Sequence, residues 1–142
     1  MEKIKKFFAS EDKFAIHNGI ELLDAAPGWA KVSMKIAPYH MNGARTVHGG
    51  AIFTLADFAF AVASNSHGKL SMGINTSVSF VKSATKGTLY AEAQEQAINP
   101  KLASYHVHIT DDNNEVIALF QGMVYRKNES FLPSDENPED HE

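Results

Sequence analysis

The sequence predicts an α+β fold in which an antiparallel sheet packs against one long, buried helix. Three observations carry the prediction. The stretch from Val47 to Ser64 is apolar around almost its whole circumference, the mark of a helix covered on most sides. The chain after it alternates with period two, the mark of half-buried strands. Turn signals sit between those strands, so consecutive strands fold back as hairpins.

The elements follow in order. Ile4, Phe7, Phe8, Phe14 and Ile16 recur at roughly helical spacing and predict one or two short helices. Asn18-Gly19 and Pro27-Gly28 punctuate the chain. From Trp29, the residues Ala30, Val32, Met34 and Ile36 alternate with Lys31, Ser33 and Lys35, a half-buried strand that ends at Pro38. Residues 39–47 form a loop containing Asn42-Gly43. The long helix comes next and closes at His67-Gly68. Ile74, Thr76, Val78 and Phe80 then define a strand, as do Leu89, Ala91 and Ala93, and Tyr105, Val107 and Ile109. Asp111-Asp112-Asn113-Asn114 is a hairpin turn. The last strand, Val116 to Tyr125, is apolar on both faces, as expected of a central strand or one at a subunit contact.

Composition narrows the function. The 142 residues suit one domain, here residues 1–128, long enough to bury a core without staples. Cysteine is absent, which removes disulfides, thiolate nucleophiles and cysteine-bound zinc. The net charge of −4 comes from residues 129–142, whose six acidic residues stand without Lys or Arg; without them the body is +2. Those residues, with Pro133 and Pro138, read as an acidic, disordered tail. No basic stripe points to nucleic acid. No apolar run approaches the roughly 18–20 residues of a membrane span. Met1 to Lys6 is basic but leads into no long apolar run, so no secretory signal is expected and the cytoplasm is the default compartment.

One residue stands out. Thr46 to Gly68 contains 23 residues and a single formal charge, Asp57, at mid-helix among Phe53, Phe58 and Phe60. A carboxylate there is catalytic, or lies on a narrow polar stripe, or is paired with a cation from elsewhere. The second feature is His48-Gly49-Gly50 at the helix start. The first N–H groups of a helix lack internal partners and favour negative charge, so they suit an oxyanion hole; a simple tight turn is the plainer alternative. Gly49 and Asp57 are eight residues apart, about 12 Å along a helix axis, too far to act on one carbon from the same helix. Two antiparallel copies across a twofold axis would bring one Gly49 to the other Asp57, so an isologous dimer with shared sites is expected.

These residues carry a resemblance. His48-Gly49-Gly50, four residues, then Leu55-Ala56-Asp57, all preceded by Met41-Asn42-Gly43, resembles the hotdog-fold acyl-CoA thioesterases of the PaaI, or phenylacetate-degradation, type. The likeness spans roughly residues 12–127 and includes Ala63-Ser64-Asn65-Ser66 and Ala118-Leu119-Phe120-Gln121-Gly122. It implies a long helix wrapped by an antiparallel sheet, in dimers that commonly pair into tetramers. It implies Asp57 as general base or nucleophile, with the Gly49 N–H polarising the thioester carbonyl and Gly50 beside it. It implies that Asn42 faces Asp57 of the other subunit and that His48 supports the loop. Members often place a hydroxyl at the start of the strand after the helix. Gly73 stands there in this chain, leaving Thr54 or Ser71 as substitutes. The implied substrate is an aryl-acetyl or short-to-medium acyl-CoA, with no metal and no cofactor beyond the coenzyme A of the substrate.

Other sites are weaker. No Gly-x-Ser-x-Gly, Gly-x-Gly-x-x-Gly or phosphate-loop motif occurs. His106 and His108 share a strand face without a third ligand, which reads as a polar face rather than a metal site. Asn75-Thr76-Ser77 and Asn128-Glu129-Ser130 match a glycosylation pattern, discounted without a secretory signal. Arg45, Lys82, Lys86, Arg126 and Lys127 are candidates for the phosphates of coenzyme A. Two rival functions stand beside hydrolysis. One is a hotdog hydratase or dehydratase, which wants a close Asp–His pair. The other is an acyl-CoA-binding module without turnover.

Overall fold

A computed structural model describes residues 1–132. The short helices are α1 (Glu2–Glu11) and α2 (Lys13–His17), and the long helix is α3 (Gly49–Asn65). The strands are β1 (Ile20–Ala26), β2 (Trp29–Lys35), β3 (Lys69–Phe80), β4 (Thr88–Ile98), β5 (Leu102–Thr110) and β6 (Val116–Ser130). They form one antiparallel sheet in the order β1-β2-β4-β5-β6-β3. The sheet wraps α3, which gives the hotdog architecture.

The period-two pattern sets which face turns to the helix. Ala30, Val32 and Met34 of β2, Leu89, Ala91 and Ala93 of β4, and Tyr105, Val107 and Ile109 of β5 are fully buried. Ala56, Ala59 and Ala63 of α3 are also fully buried, and their small side chains let the helix lie close on the sheet. A bulge near Thr110 adds Ile117 to the core beside Ala118 and Phe120. The far end of α3 is tied on both sides. Asn65 Oδ1 accepts the Ser71 N–H at 2.8 Å, and Ser66 Oγ accepts the Gly28 N–H at 2.7 Å.

Four features differ from the sequence expectation. The segment between Asn18-Gly19 and Pro27-Gly28 is a strand, β1; a bulge between Leu22 and Asp24 breaks the alternation that would have marked it. Ile74, Thr76, Val78 and Phe80 do not form one continuous face, because β3 bulges between Gly73 and Asn75. β3 is also an edge strand, with Ile74 57% and Phe80 55% exposed. Finally, the sheet runs past the expected boundary at residue 128. Glu129 and Ser130 belong to β6, and the Phe131 ring stacks on Phe8 at 5.2 Å. The rest of the expected acidic tail, residues 133–142, lies outside the described residues. β6 lies inside the sheet between β5 and β3, which fits the first of the two readings of its apolar faces, a central strand or one at a subunit contact.

Phe60 of α3 fills the space beneath β3 and β6, and glycine makes that possible. A Cβ at Gly122 would stand 2.7 Å from Phe60 Cζ and 3.0 Å from Phe120 Cε1. Gly122→Ala is therefore expected to cost about 1–3 kcal/mol through overpacking. A thermal melt checks this: Tm falls if the contact is as tight as it stands, and an unchanged Tm contradicts it.

Candidate active site

The start of α3 is built by the loop before it. His48 caps the helix with extended backbone (φ −61°, ψ 137°), and its Nδ1 accepts the Gly50 N–H at 2.8 Å. The ring proton in this arrangement sits on Nε2. The His48 N–H donates to the carbonyl of the buried His40 at 2.7 Å, which fixes the loop. The Gly50 donor is thus spent inside the cap. The Gly49 N–H has no acceptor among the described residues and remains the open donor at the positive end of the helix. Gly49 is also sterically constrained, because a Cβ there would meet Phe80 Cζ at 3.1 Å. Gly49, Asn42, Thr46, Ile52, Phe80 and Lys82 line a cleft of about 330 Å³ together with Val47, Val81 and Ser83.

Asn42 joins Gly49 in that cleft, but its side chain works on its own loop. Oδ1 accepts the N–H groups of Ala44 at 2.9 Å and Thr46 at 3.1 Å, and Nδ2 donates to Thr46 Oγ1 at 2.9 Å. Within one chain Asn42 is therefore a positioning residue for the cleft wall.

Asp57 lies elsewhere. One stripe of α3 stays open, made of Gly50, Phe53, Thr54, Asp57 and Ala61 at successive helical turns. Asp57 is its exposed charge, and among the described residues it has no ion pair or side-chain hydrogen bond. Of the alternatives to catalysis, a Lys or Arg partner is not found among the described residues, while a narrow polar stripe is. The surrounding protein still desolvates the carboxyl enough to raise its pKa above the usual aspartate value, and the Asp12 carboxylate adds to the rise. Thr54 shares this stripe, with its hydroxyl donating back to the Gly50 carbonyl at 2.8 Å. Asp57 is absent from the wall of the Gly49 cleft, as the roughly 12 Å axial separation requires.

Gly73, at the position where the resemblance leads one to look for a hydroxyl near the substrate, packs against Phe60. A Cβ there would lie 3.1 Å from the Phe60 ring, and Gly73 is not on the cleft wall. Of the basic candidates, Lys82 lines the cleft and pairs with Glu115, and Lys86 borders the adjoining depression. Arg126 is engaged by the Asn99 carbonyl at 2.7 Å and sits at the far end of β3 from Phe80. His106 and His108 lie side by side on the exposed sheet face, opposite Gln121 and Leu119. Among the described residues no three His, Asp or Glu side chains converge as metal ligands would. No helix among them is long and apolar enough to cross a membrane.

Two neighbours of the site were not signalled by the sequence. Phe80 closes the cleft over Gly49 from 31 residues further on, and the Asp12 carboxylate, at the junction of the N-terminal helices, adds to the raised pKa of Asp57. Both depend on long-range placement, for which local periodicity carries no signal.

Residues 44–118 match the family model described as "Thioesterase superfamily". A relative from Archaeoglobus fulgidus is 42% identical over 135 residues, which cover 94% of this chain and 88% of that protein. Acyl-coenzyme A thioesterase PaaI of Escherichia coli is 33% identical over 109 residues, covering 76% and 78%. The solved structure of the E. coli PaaI protein from the phenylacetic acid degradation operon superposes with a TM-score of 0.88 at 29% identity, covering 91% of this chain and 94% of that one. A variant of the phenylacetic acid degradation protein PaaI of Thermus thermophilus superposes at 0.79 with 32% identity, covering 82% and 100%.

Proposed function

The chain belongs to the thioesterase superfamily as a PaaI-type hotdog thioester hydrolase, and we propose that it cleaves aryl-acetyl or short-to-medium acyl-coenzyme A at sites shared between two subunits. One observation carries this reading. The chain presents the halves of a hydrolytic site apart from each other: an open oxyanion donor at Gly49, and an unpaired carboxylate of raised pKa at Asp57.

A second copy supplies the closure. Among the described residues, β3 leaves one edge of the sheet unpaired over twelve residues, with Met72, Ile74, Phe80 and Val81 exposed along and beyond it. A long unpaired edge carrying exposed apolar side chains invites pairing with another strand. Antiparallel pairing of two β3 edges would run two α3 helices past each other and bring Asp57 of one subunit toward Gly49 of the other. The exposed Leu119, Met123 and Tyr125 on the outer sheet face offer an apolar patch for a further, dimer-of-dimers contact.

In the resulting site Asp57 takes a proton from water as the water oxygen bonds to the thioester carbon. Attack by Asp57 itself, through an anhydride that water then opens, is the alternative route. Either way the carbonyl oxygen gains negative charge, and the Gly49 N–H and the helix dipole stabilise it. Collapse expels the coenzyme A thiolate, which regains a proton, and leaves the free acid. His48 holds the Gly49–Gly50 turn in shape, Asn42 holds the facing loop, and Thr54 lies one turn from Asp57. Lys82 and Lys86 stand on the cleft side for the phosphates of coenzyme A. No further cofactor is called for, and a cytoplasmic location goes with this reading. Hydration of an enoyl thioester is less favoured, because it wants a close Asp–His pair and His48 stands nine residues before Asp57, more than two turns away, so only a second subunit could bring such a pair together.

Thiol release from phenylacetyl-, benzoyl-, acetyl-, octanoyl- and palmitoyl-coenzyme A tests the proposal. Turnover with the first two or with octanoyl thioester is expected. No thiol release from any of the five would overturn it, and loss of enoyl absorbance from a crotonyl thioester would put hydration in its place.

A further inference from the structure

The ring of His40 is buried, and both of its nitrogens are engaged by backbone groups. Nδ1 accepts the Ala37 N–H at 3.0 Å, so the ring proton sits on Nε2, which donates to the Asn18 carbonyl at 2.7 Å. Asn18 is the C-cap of α2, 22 residues back along the chain. The His40 carbonyl in turn accepts the His48 N–H at 2.7 Å, and His48 Nδ1 accepts the Gly50 N–H at 2.8 Å. Three hydrogen bonds in series thus run from the end of α2 to the start of α3. The loop between His40 and His48 folds on itself through the Met41–Val47 bridge and the Asn42 N–H, which donates to the Thr46 carbonyl at 2.8 Å. The Val47 N–H fastens it to the Ala84 carbonyl at 2.9 Å.

We infer that the His40 imidazole is a positioning residue for hydrolysis, whose Nε2–H, held by the Asn18 carbonyl, fixes the turn that aims the Gly49 N–H and carries Asn42. The inference rests on the proposed oxyanion role of Gly49 and adds the strut behind it. The two ring bonds differ in what they can fix. Ala37 and His40 belong to one turn, since the His40 N–H also donates to the Ala37 carbonyl at 2.9 Å. The bond from the Ala37 N–H to Nδ1 therefore moves with the turn and only shapes it. The bond to Asn18 leaves the turn and ties it to α2. Without that donor the turn is free to shift, and a misplacement of about 1 Å is enough to cost about 10²-fold in rate.

Amide side chains separate the two bonds. His40→Gln can place an amide N–H where Nε2–H stood. His40→Asn places its amide oxygen where Nδ1 stood and is too short to reach Asn18, and His40→Leu keeps neither group. Each variant is assayed with the thioester that the parent turns over fastest, after a thermal melt and light scattering establish a folded protein of parental subunit number. In His40→Asn and His40→Leu, kcat should fall about 10–10²-fold with KM within about twofold, as for a donor used in the transition state, whereas His40→Gln should stay within about threefold of the parent. Parental kcat in folded His40→Leu overturns the inference, and so does a His40→Gln no better than His40→Asn, which makes the ring a packing element. A raised KM at unchanged kcat assigns His40 to substrate binding and also overturns it. Ring-nitrogen NMR of the parent needs no variant. The His40 proton is expected on Nε2, exchanging with solvent more slowly than the ring protons of the exposed His106 and His108. A proton on Nδ1, or exchange as fast as theirs, overturns the inference. A parent inert toward every thioester removes the hydrolase reading and this inference with it, whereas the other adverse outcomes remove the inference alone.

Discussion

Asp57→Asn is expected to lower kcat for thioester hydrolysis by about 10²–10⁴-fold, the range for a positioned general base, while fold and subunit association persist. The substitution keeps the shape of a side chain that has no intrachain partner among the described residues. Its removal as a charge should therefore cost little structure. The pKa supports the same view. Burial first, and Asp12 second, raise Asp57 above its ordinary value. A carboxyl whose folded-state pKa is raised contributes stability that is present below the unfolded pKa and is lost as pH rises through the folded pKa. At neutral pH the ionised group is thus unfavourable for folding, and Asp57→Asn should melt no lower than the parent. Activity has the opposite slope. The base must be ionised, so kcat/KM should rise with pH through an apparent pKa above the ordinary aspartate value of about 3.9. Asp12→Asn removes a like charge and should move that limb to lower pH. A sharp drop in Tm for Asp57→Asn would reveal a structural carboxylate instead, as would hydrolysis at the parental rate.

The second large effect concerns mixtures. Gly49→Val places a branched side chain where even a Cβ meets Phe80 at 3.1 Å, and should suppress turnover on its own. Asp57→Asn is also inactive on its own. When the two variants are unfolded together and refolded as a mixture, half of the dimers should be mixed. Each mixed dimer carries one site with both Gly49 and Asp57 intact and one with neither. If each site draws on both subunits, about a quarter of the parental activity should return. If each site lies within one chain, no mixture regains any. The same preparation, sized by light scattering, shows whether the chain associates at all.

Much of the fold was legible because it is written in short-range patterns. The apolar circumference of residues 47–64 foretold a helix covered on nearly all sides, and α3 has only the stripe through Asp57 left open. The alternation in β2, β4 and β5 foretold which residues face it. The turn at Asp111–Asn114 was equally plain, with Asp111 Oδ1 accepting the N–H groups of Asn113 and Glu115. The bulges in β1 and β3 were not legible, since one extra residue shifts the face and erases the period. At the site, the lone charge in an apolar helix singled out Asp57, and His48-Gly49-Gly50 marked the helix start as a candidate donor. Spacing did not tell the two glycines apart; the resemblance alone implied Gly49. The His48 ring spends the Gly50 donor and leaves that of Gly49 open.

Residue type and local spacing by themselves determined the α+β class and the buried helix, and marked a lone carboxylate and a helix-start donor as candidates, because each follows from neighbours a few positions apart. Tertiary structure alone decided that Phe80 closes over Gly49, that Gly73 and Gly122 make room for Phe60, and that Asp12 adds to the raised pKa of Asp57. It also decided that β3 takes the open edge. These contacts join residues far apart in the chain, and their geometry follows from how the sheet curls around α3.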